Sequence, residues 1–223
     1  MTHFQPEGNY YNKYEKANPI TRWLMKGFFS SFKAALNSIE FSTVYEAGCG
    51  EGYIAQFVTN SCPHAKVSGS DISGKVVAMA RERVPTAAFA VESIYNINSP
   101  DNAYDLVIAS EVLEHLERPA DALSELVRIS KKYILLSVPN EPLWRVLNML
   151  RLKYITSFGN TPGHVNHWSA KGFKAFVSSQ CDIRNVTPPP RMWTMLLCEK
   201  RQAQNPGTGA PQASYRINLS DFA

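Results

Sequence analysis

An α/β architecture, a seven-stranded and mostly parallel sheet with helices on both faces, is what the sequence predicts, and three observations predict it. Runs of strand length alternate with segments of helical period from Thr43 to Ile129. Two of these runs, LVIA from Leu106 and YILL from Tyr133, are continuously apolar, as strands buried on both faces are. Third, the segment VYEAGCGEG sets Glu46 at a strand end and then glycines at alternate positions, Gly48, Gly50 and Gly52. A strand that turns at once into a helix while a ligand lies against its backbone needs residues without a Cβ.

The elements follow in order. Between Pro19 and Ile39 apolar residues recur as Ile20, Trp23, Leu24, Phe28, Phe32, Ala35, Leu36 and Ile39, which predicts a helix. Strand and helix then alternate: Thr43 to Ala47, the helix Gly52 to Asn60, the strand Lys66 to Ser70 ending at Asp71, the helix Ser73 to Arg83, and the strand Ala87 to Val91. Next come the strand Tyr104 to Ser110, a helix opened by Pro119 and running to Ile129, and the strand Lys132 to Val138. Beyond Pro139 an apolar, basic stretch from Leu143 to Tyr154 and a polar loop from Thr156 to Asn166 interrupt the alternation, so residues 139–169 are expected to form a lid. A helix from Ala170 to Ser179 and two strands, Asp182 to Val186 and Arg191 to Glu199, close the sheet. One domain over residues 1–200 is expected, with 1–42 as a helical cap and 201–223 as a flexible tail rich in polar and small residues.

Composition narrows the partners. The chain of 223 residues carries a net charge of +4 with its basic residues scattered, so no track for a nucleic-acid backbone is visible. Cys49, Cys62, Cys181 and Cys198 lack paired C-x-x-C spacing, which favours reduced thiols. The start has no basic segment followed by an apolar core, and no stretch reaches the roughly 18 apolar residues of a membrane span. A cytoplasmic protein, monomeric or homodimeric, is expected.

The spacing of the glycine turn selects the nucleotide. A dinucleotide fingerprint runs G-x-G-x-x-G, whereas here the third glycine comes one position early and Tyr53 stands in its place. Glu46 would repel a phosphate and attract a cationic amino-acid group. Asp71, about twenty residues past the turn, is placed to accept both ribose hydroxyl hydrogens. An aspartate after a strand is also often just the cap of the next helix.

This pattern resembles the first motif of class I methyltransferases, and the likeness extends from about Val44 to about Phe176. It implies a Rossmann-like fold, S-adenosyl-L-methionine as cofactor, and a contact set of Glu46, Ala47, Gly48, Cys49, Gly50, Asp71, Ile72, Glu92, Ser93, Ile94, Ser110 and Glu111. The acidic residue common near the adenine edge in that family is Ser93 here. His115 is the candidate general base if the acceptor is a phenol, hydroxyl or amine, with local packing as the alternative role.

The E-x-x-E-H spacing of Glu111, Glu114 and His115 is read as one side of a helical turn. It is similar to small-RNA terminal 2′-O-methyltransferases, which implies an alternative divalent-metal set of Glu111, Glu114, His115 and His164, although no metal is the expectation. It is also similar to ubiquinone-biosynthesis O-methyltransferases, whose amphipathic insertion faces lipid. That likeness implies a small, apolar or lipid-like acceptor met by Trp144, His164 and His167, with peripheral membrane contact. Tyr10, Tyr11 and Tyr14 would close over the cofactor. The alternatives are an RNA 2′-O-methyltransferase and a non-catalytic binder of the same cofactor.

Overall fold

The structure is a computed structural model, described for residues 19–140, 165–186 and 192–201. Tyr10, Tyr11, Tyr14, the predicted lid stretch Leu143 to Tyr154 with Trp144, His164, and the tail from residue 202 lie outside the described residues.

The elements are α1 (Pro19–Asn37), β1 (Thr43–Ala47), α2 (Tyr53–Ser61), β2 (Lys66–Asp71), α3 (Gly74–Arg83), β3 (Ala88–Val91), β4 (Tyr104–Ser110), a 3-10 turn (Leu113–His115), α4 (Pro119–Ile129), β5 (Ser130–Pro139), α5 (Ala170–Val177), β6 (Cys181–Val186) and β7 (Trp193–Lys200). They build one seven-stranded sheet of order β3-β2-β1-β4-β5-β7-β6. β7 runs antiparallel to both neighbours, and the pairings among β1 to β5 are parallel. The chain winds outward from β1 to β3, then returns to lay β4 on the other side of β1, so the strand order reverses between β1 and β4. In open α/β sheets a ligand crevice opens at the carboxyl ends of the strands at such a reversal.

Side chains divide the helices between the faces. Leu24, Phe28, Phe32 and Leu36 of α1, with Ile54 and Val58 of α2 and Val77 and Ala80 of α3, pack on Val44, Val67, Leu106, Ile108 and Leu135. On the other face Leu123, Leu126 and Ile129 of α4 and Phe173 and Val177 of α5 pack on Val107, Ala109, Ile134, Leu136 and Leu196. Burying each large apolar side chain contributes about 2–3 kcal/mol. The predicted apolar face of α1 is therefore spent on the domain: Phe28 meets Trp193 with ring centroids 5.2 Å apart, whereas Trp23 stays 66% exposed. Among the described residues no helix is long and apolar enough to cross a membrane.

The strand predicted over Lys132 to Val138 is longer, Ser130–Pro139. Lys131 is exposed and so broke the apolar pattern, but pairing with β4 resumes at Ser130 opposite Tyr104 past a register shift. At the amino ends of β1 and β4, away from the crevice, Asp105 Oδ2 accepts hydrogen bonds from the amides and hydroxyls of Ser42 and Thr43 at 2.8–3.0 Å. Burial pushes the Asp105 carboxyl up, but these four bonds together outweigh it and hold the group well below the usual range.

Gly69 lets β1 and β2 approach beneath the turn: a Cβ there would lie 2.6 Å from the Glu46 carbonyl oxygen and 3.3 Å from its Cβ. Gly69→Ala is expected to destabilise the fold by about 1–3 kcal/mol, because backbone rather than a flexible side chain must give way. Chemical denaturation of variant and wild type checks this, and equal midpoints would refute it.

Candidate cofactor site

The glycine turn follows β1 directly. Gly48, Gly50 and Gly52 have φ of 73°, 50° and 81°, left-handed values that side chains rarely adopt. The amides of Gly48 and Cys49 both donate to the Ser70 carbonyl at 2.8 Å, which ties the turn to the end of β2. A Cβ on Gly48 would meet Val112 at 2.5 Å, and one on Gly52 would meet the α3 backbone at Ala80 at 3.0 Å, so both are packing positions. Gly50 differs. A Cβ there would have no atom within 4 Å, so this part of the turn borders open space.

Two acidic side chains lie at the turn, Asp71 hydrogen-bonded to Gly50 and Glu46 near Cys49. Asp71 Oδ2 accepts from the Gly50 amide and Oδ1 from the Ser73 amide, each at 3.0 Å. The residue capping α3 is Ser73, so Asp71 instead bridges the turn and the start of the helix. Each of its oxygens retains a lone pair for a ligand hydroxyl. Glu46 is only 3% exposed, and its Oε2 has no hydrogen-bond partner among the described residues. Burial pushes its carboxyl well above the ordinary range, the Ala55 amide partly offsets this, and Asp71 adds to the rise. Cys49 beside it is 5% exposed, and burial, reinforced by Glu46 and Asp71, raises its thiol so that it stays protonated at neutral pH.

The other predicted residues fall around this centre. Ala47 points into the core on the α4 face, which leaves its backbone at the turn. Ile72 is 57% exposed directly after Asp71, an uncovered apolar surface at the crevice edge. Glu92 is turned inward: Oε1 accepts from Tyr45 Oη at 2.5 Å and Oε2 from the Asn98 amide at 3.0 Å. Tyr45 also pairs with Ser70 Oγ at 2.7 Å, and since a phenol has one proton, Ser70 donates to Tyr45 and Tyr45 to Glu92. Ser93 Oγ accepts from the Tyr95 amide at 3.3 Å, and Ile94 packs against the α4-side core. Ser110 Oγ lies 2.8 Å from the buried Ser137 Oγ.

The E-x-x-E-H segment departs from the sequence expectation. Glu111 sits in a left-handed conformation, φ 62°, with its amide bonded to the Ser137 carbonyl at 2.9 Å. Only Leu113–His115 turns, as one 3-10 turn, so Glu111 does not share a helical face with Glu114 and His115. The apolar strand leads into a sharp bend where left-handed Glu111 bonds the neighbouring strand at Ser137. Glu114 is 1% exposed, and His115 is half-buried. The Glu114 carbonyl accepts from the amides of Val165 and Asn166, and Asn166 Nδ2 donates to the Leu113 and Leu116 carbonyls at 3.2 and 2.6 Å. Residues 165–169 thus dock on this turn, with His167 exposed and Trp168 stacked on Phe176 at 5.2 Å. Among the described residues no three of His, Cys, Asp and Glu are grouped to hold a metal ion.

Sequence reasoning missed Tyr45, Ser137 and Asn166. Tyr45 had a signal, a polar tip inside a strand one residue from Glu46. Asn166 had none, since its partners lie some fifty residues away.

A glycine turn beside acidic residues at the reversal of a seven-stranded sheet with an antiparallel β7 is a fold this chain shares with solved methyltransferases. Residues 45–135 match the methyltransferase domain family. Over these residues the chain is similar to S-adenosylmethionine-dependent methyltransferases. It is 39% identical over 75 residues to trans-aconitate 2-methyltransferase of Variovorax paradoxus, a match over 34% of this chain and 29% of that protein. It is 34% identical over 99 residues to a probable S-adenosylmethionine-dependent methyltransferase of Mycolicibacterium smegmatis, covering 44% of this chain and 38% of that one. The chain thus spans well under half the length of these curated relatives. The crystal structure of magnesium protoporphyrin IX methyltransferase from Synechocystis with bound S-adenosylhomocysteine superposes with a TM-score of 0.62 at 21% identity, over 82% of this chain and 88% of that one.

Proposed function

We propose that the protein transfers a methyl group from S-adenosylmethionine to an O, N or C atom of a small-molecule acceptor. The observation that carries this is the buried, unpartnered Oε2 of Glu46 near Asp71 and Cys49 at the glycine turn. A carboxylate there suits a cationic amino-acid group, and Asp71, already oriented by two amides, suits a ribose diol. A pyrophosphate would bring further negative charge to the Asp71 carboxylate and could not draw Glu46 into its ionised form, which disfavours a dinucleotide.

When bound, the cofactor supplies a methyl group activated on a positively charged sulfur. The chain's own work is then to orient and to exclude water. Gly48, Cys49 and Gly50 present backbone, Asp71 fixes the sugar, and the Ser70–Tyr45–Glu92–Asn98 chain holds the loop after β3 in place beside Ile72. Glu111 and Ser110 line the end of β4, and His115 takes a proton where the acceptor carries one. Trp144, His164 and His167 remain the candidate acceptor contacts. The small-molecule acceptors named for the Variovorax and Synechocystis proteins support an acceptor of that size, and an apolar or lipid-like one approached from a membrane surface remains part of the proposal.

Titration calorimetry with S-adenosylmethionine and with NAD tests the cofactor, and transfer of a labelled methyl group into small carboxylic acids, phenols and porphyrins tests the reaction. Heat with NAD alone would sink the reading. Tyr45→Phe removes the link to Glu92 and is expected to weaken cofactor binding about 3–10-fold, as one charge-assisted hydrogen bond implies, with kcat at saturating cofactor preserved. A fall in kcat without a change in affinity would contradict a role in seating the loop.

A further inference from the structure

Glu46 is buried near the end of β1, two residues before the glycine turn. Its side chain is 3% exposed and one oxygen is unpartnered among the described residues. The groups around it are Asp71 from the end of β2, the Cys49 thiol from the turn and the Ala55 amide from the first turn of α2. Toward β4 its register partner is Ile108, with Glu111 three residues further along. These neighbours are neutral or negative, and no lysine or arginine among the described residues offsets them. A carboxylate in such surroundings is disfavoured against its protonated form.

We propose, building on the function proposed above, that Glu46 couples cofactor binding to proton release: the carboxyl is protonated in the cofactor-free protein and gives its proton to solvent when the α-ammonium group of the cofactor docks beside it. The O–H bond of Glu46 breaks, the electron pair stays on the carboxylate, the proton passes to buffer, and the ammonium keeps its three hydrogens. One positive charge enters as one leaves. Burial and the Asp71 charge, which hold the Glu46 carboxyl above the ordinary range, act in the same direction. Affinity therefore rises with pH as long as Glu46 is protonated in the free protein. The demethylated product carries the same ammonium group and releases the same proton.

The test is titration calorimetry of the full chain with S-adenosylhomocysteine at about pH 6.5, where an α-amino group is still protonated, in phosphate and in imidazole buffer, whose ionisation heats differ. The binding heats are expected to differ by about one proton's worth of buffer ionisation. An analogue lacking the α-amino group is expected to bind with equal heats in both buffers, and Glu46→Gln to bind the parent nucleoside about tenfold or more weakly with no buffer dependence. Equal heats in both buffers for the wild type with S-adenosylhomocysteine would overturn the coupling while leaving the function standing. No binding of that nucleoside or of S-adenosylmethionine would remove the function and the coupling together. If Glu46→Gln does not fold, the wild-type and analogue titrations still decide.

Discussion

Asp71→Ala is expected to weaken binding of S-adenosylmethionine by roughly 100-fold, the largest loss at the site. Two hydroxyl-to-carboxylate hydrogen bonds contribute about 1.5 kcal/mol each, and a tenfold change in affinity is about 1.4 kcal/mol. The substitution also releases the Gly50 and Ser73 amides, which Asp71 now holds at 3.0 Å. The turn would therefore lose some order before any ligand arrives. Asp71→Asn keeps the shape but presents an NH2 group to one of two amide donors, so it is expected to lose most of the same affinity. Calorimetric titration measures the loss, and a thermal melt of each variant separates it from unfolding. Unchanged affinity in Asp71→Ala would mean that the carboxylate serves the turn alone.

Glu46→Gln is expected to act in opposite directions on stability and on binding. The unfolded chain ionises this carboxyl above about 4.5, whereas the cofactor-free native state holds its proton to higher pH. Between these limits the native state binds more protons than the unfolded state, so stability falls as pH rises, by on the order of 1 kcal/mol per pH unit. Glutamine has no proton to lose, so the variant is expected to match the wild type near pH 4 and to be more stable at pH 7 to 8 in the absence of cofactor. Urea denaturation midpoints across this range read the difference. A variant less stable than the wild type at every pH would show that the carboxylate itself, ionised, supports the fold. On the proposed function, this native cost is what a docking ammonium group would relieve.

How much of this was legible in the sequence depends on the reach of each signal. The strand Tyr104–Ser110 and the helix Pro119–Ile129 have the bounds that apolar pattern and proline predict, because a buried strand and an amphipathic helix write their burial into consecutive residues. The strand predicted from Lys132 is shorter than β5, because Ser130 and Lys131 are strand residues that carry no apolar mark. The glycine spacing announced a turn against a ligand. It did not announce that Gly48 and Gly52 are fixed by Val112 and Ala80 while Gly50 alone borders open space. The E-x-x-E-H spacing suggested a shared helical face, yet the left-handed Glu111 breaks it, since departure from the sheet is decided by the bond to the Ser137 carbonyl on the neighbouring strand.

By itself the sequence determined the alternation of strands and helices, the acidic and glycine-rich turn between β1 and α2, and hence the class of nucleotide the chain is built to receive, because each is set by residues a few positions apart. Only the tertiary structure decided the strand order that places β4 beside β1, the bridge from Asp71 to Gly50, the Tyr45 link to Glu92, and the enclosure of Glu46 between Ala55 and Asp71. Those depend on residues brought together from distant parts of the chain, and the electrostatic state of a carboxyl follows from what surrounds it in space.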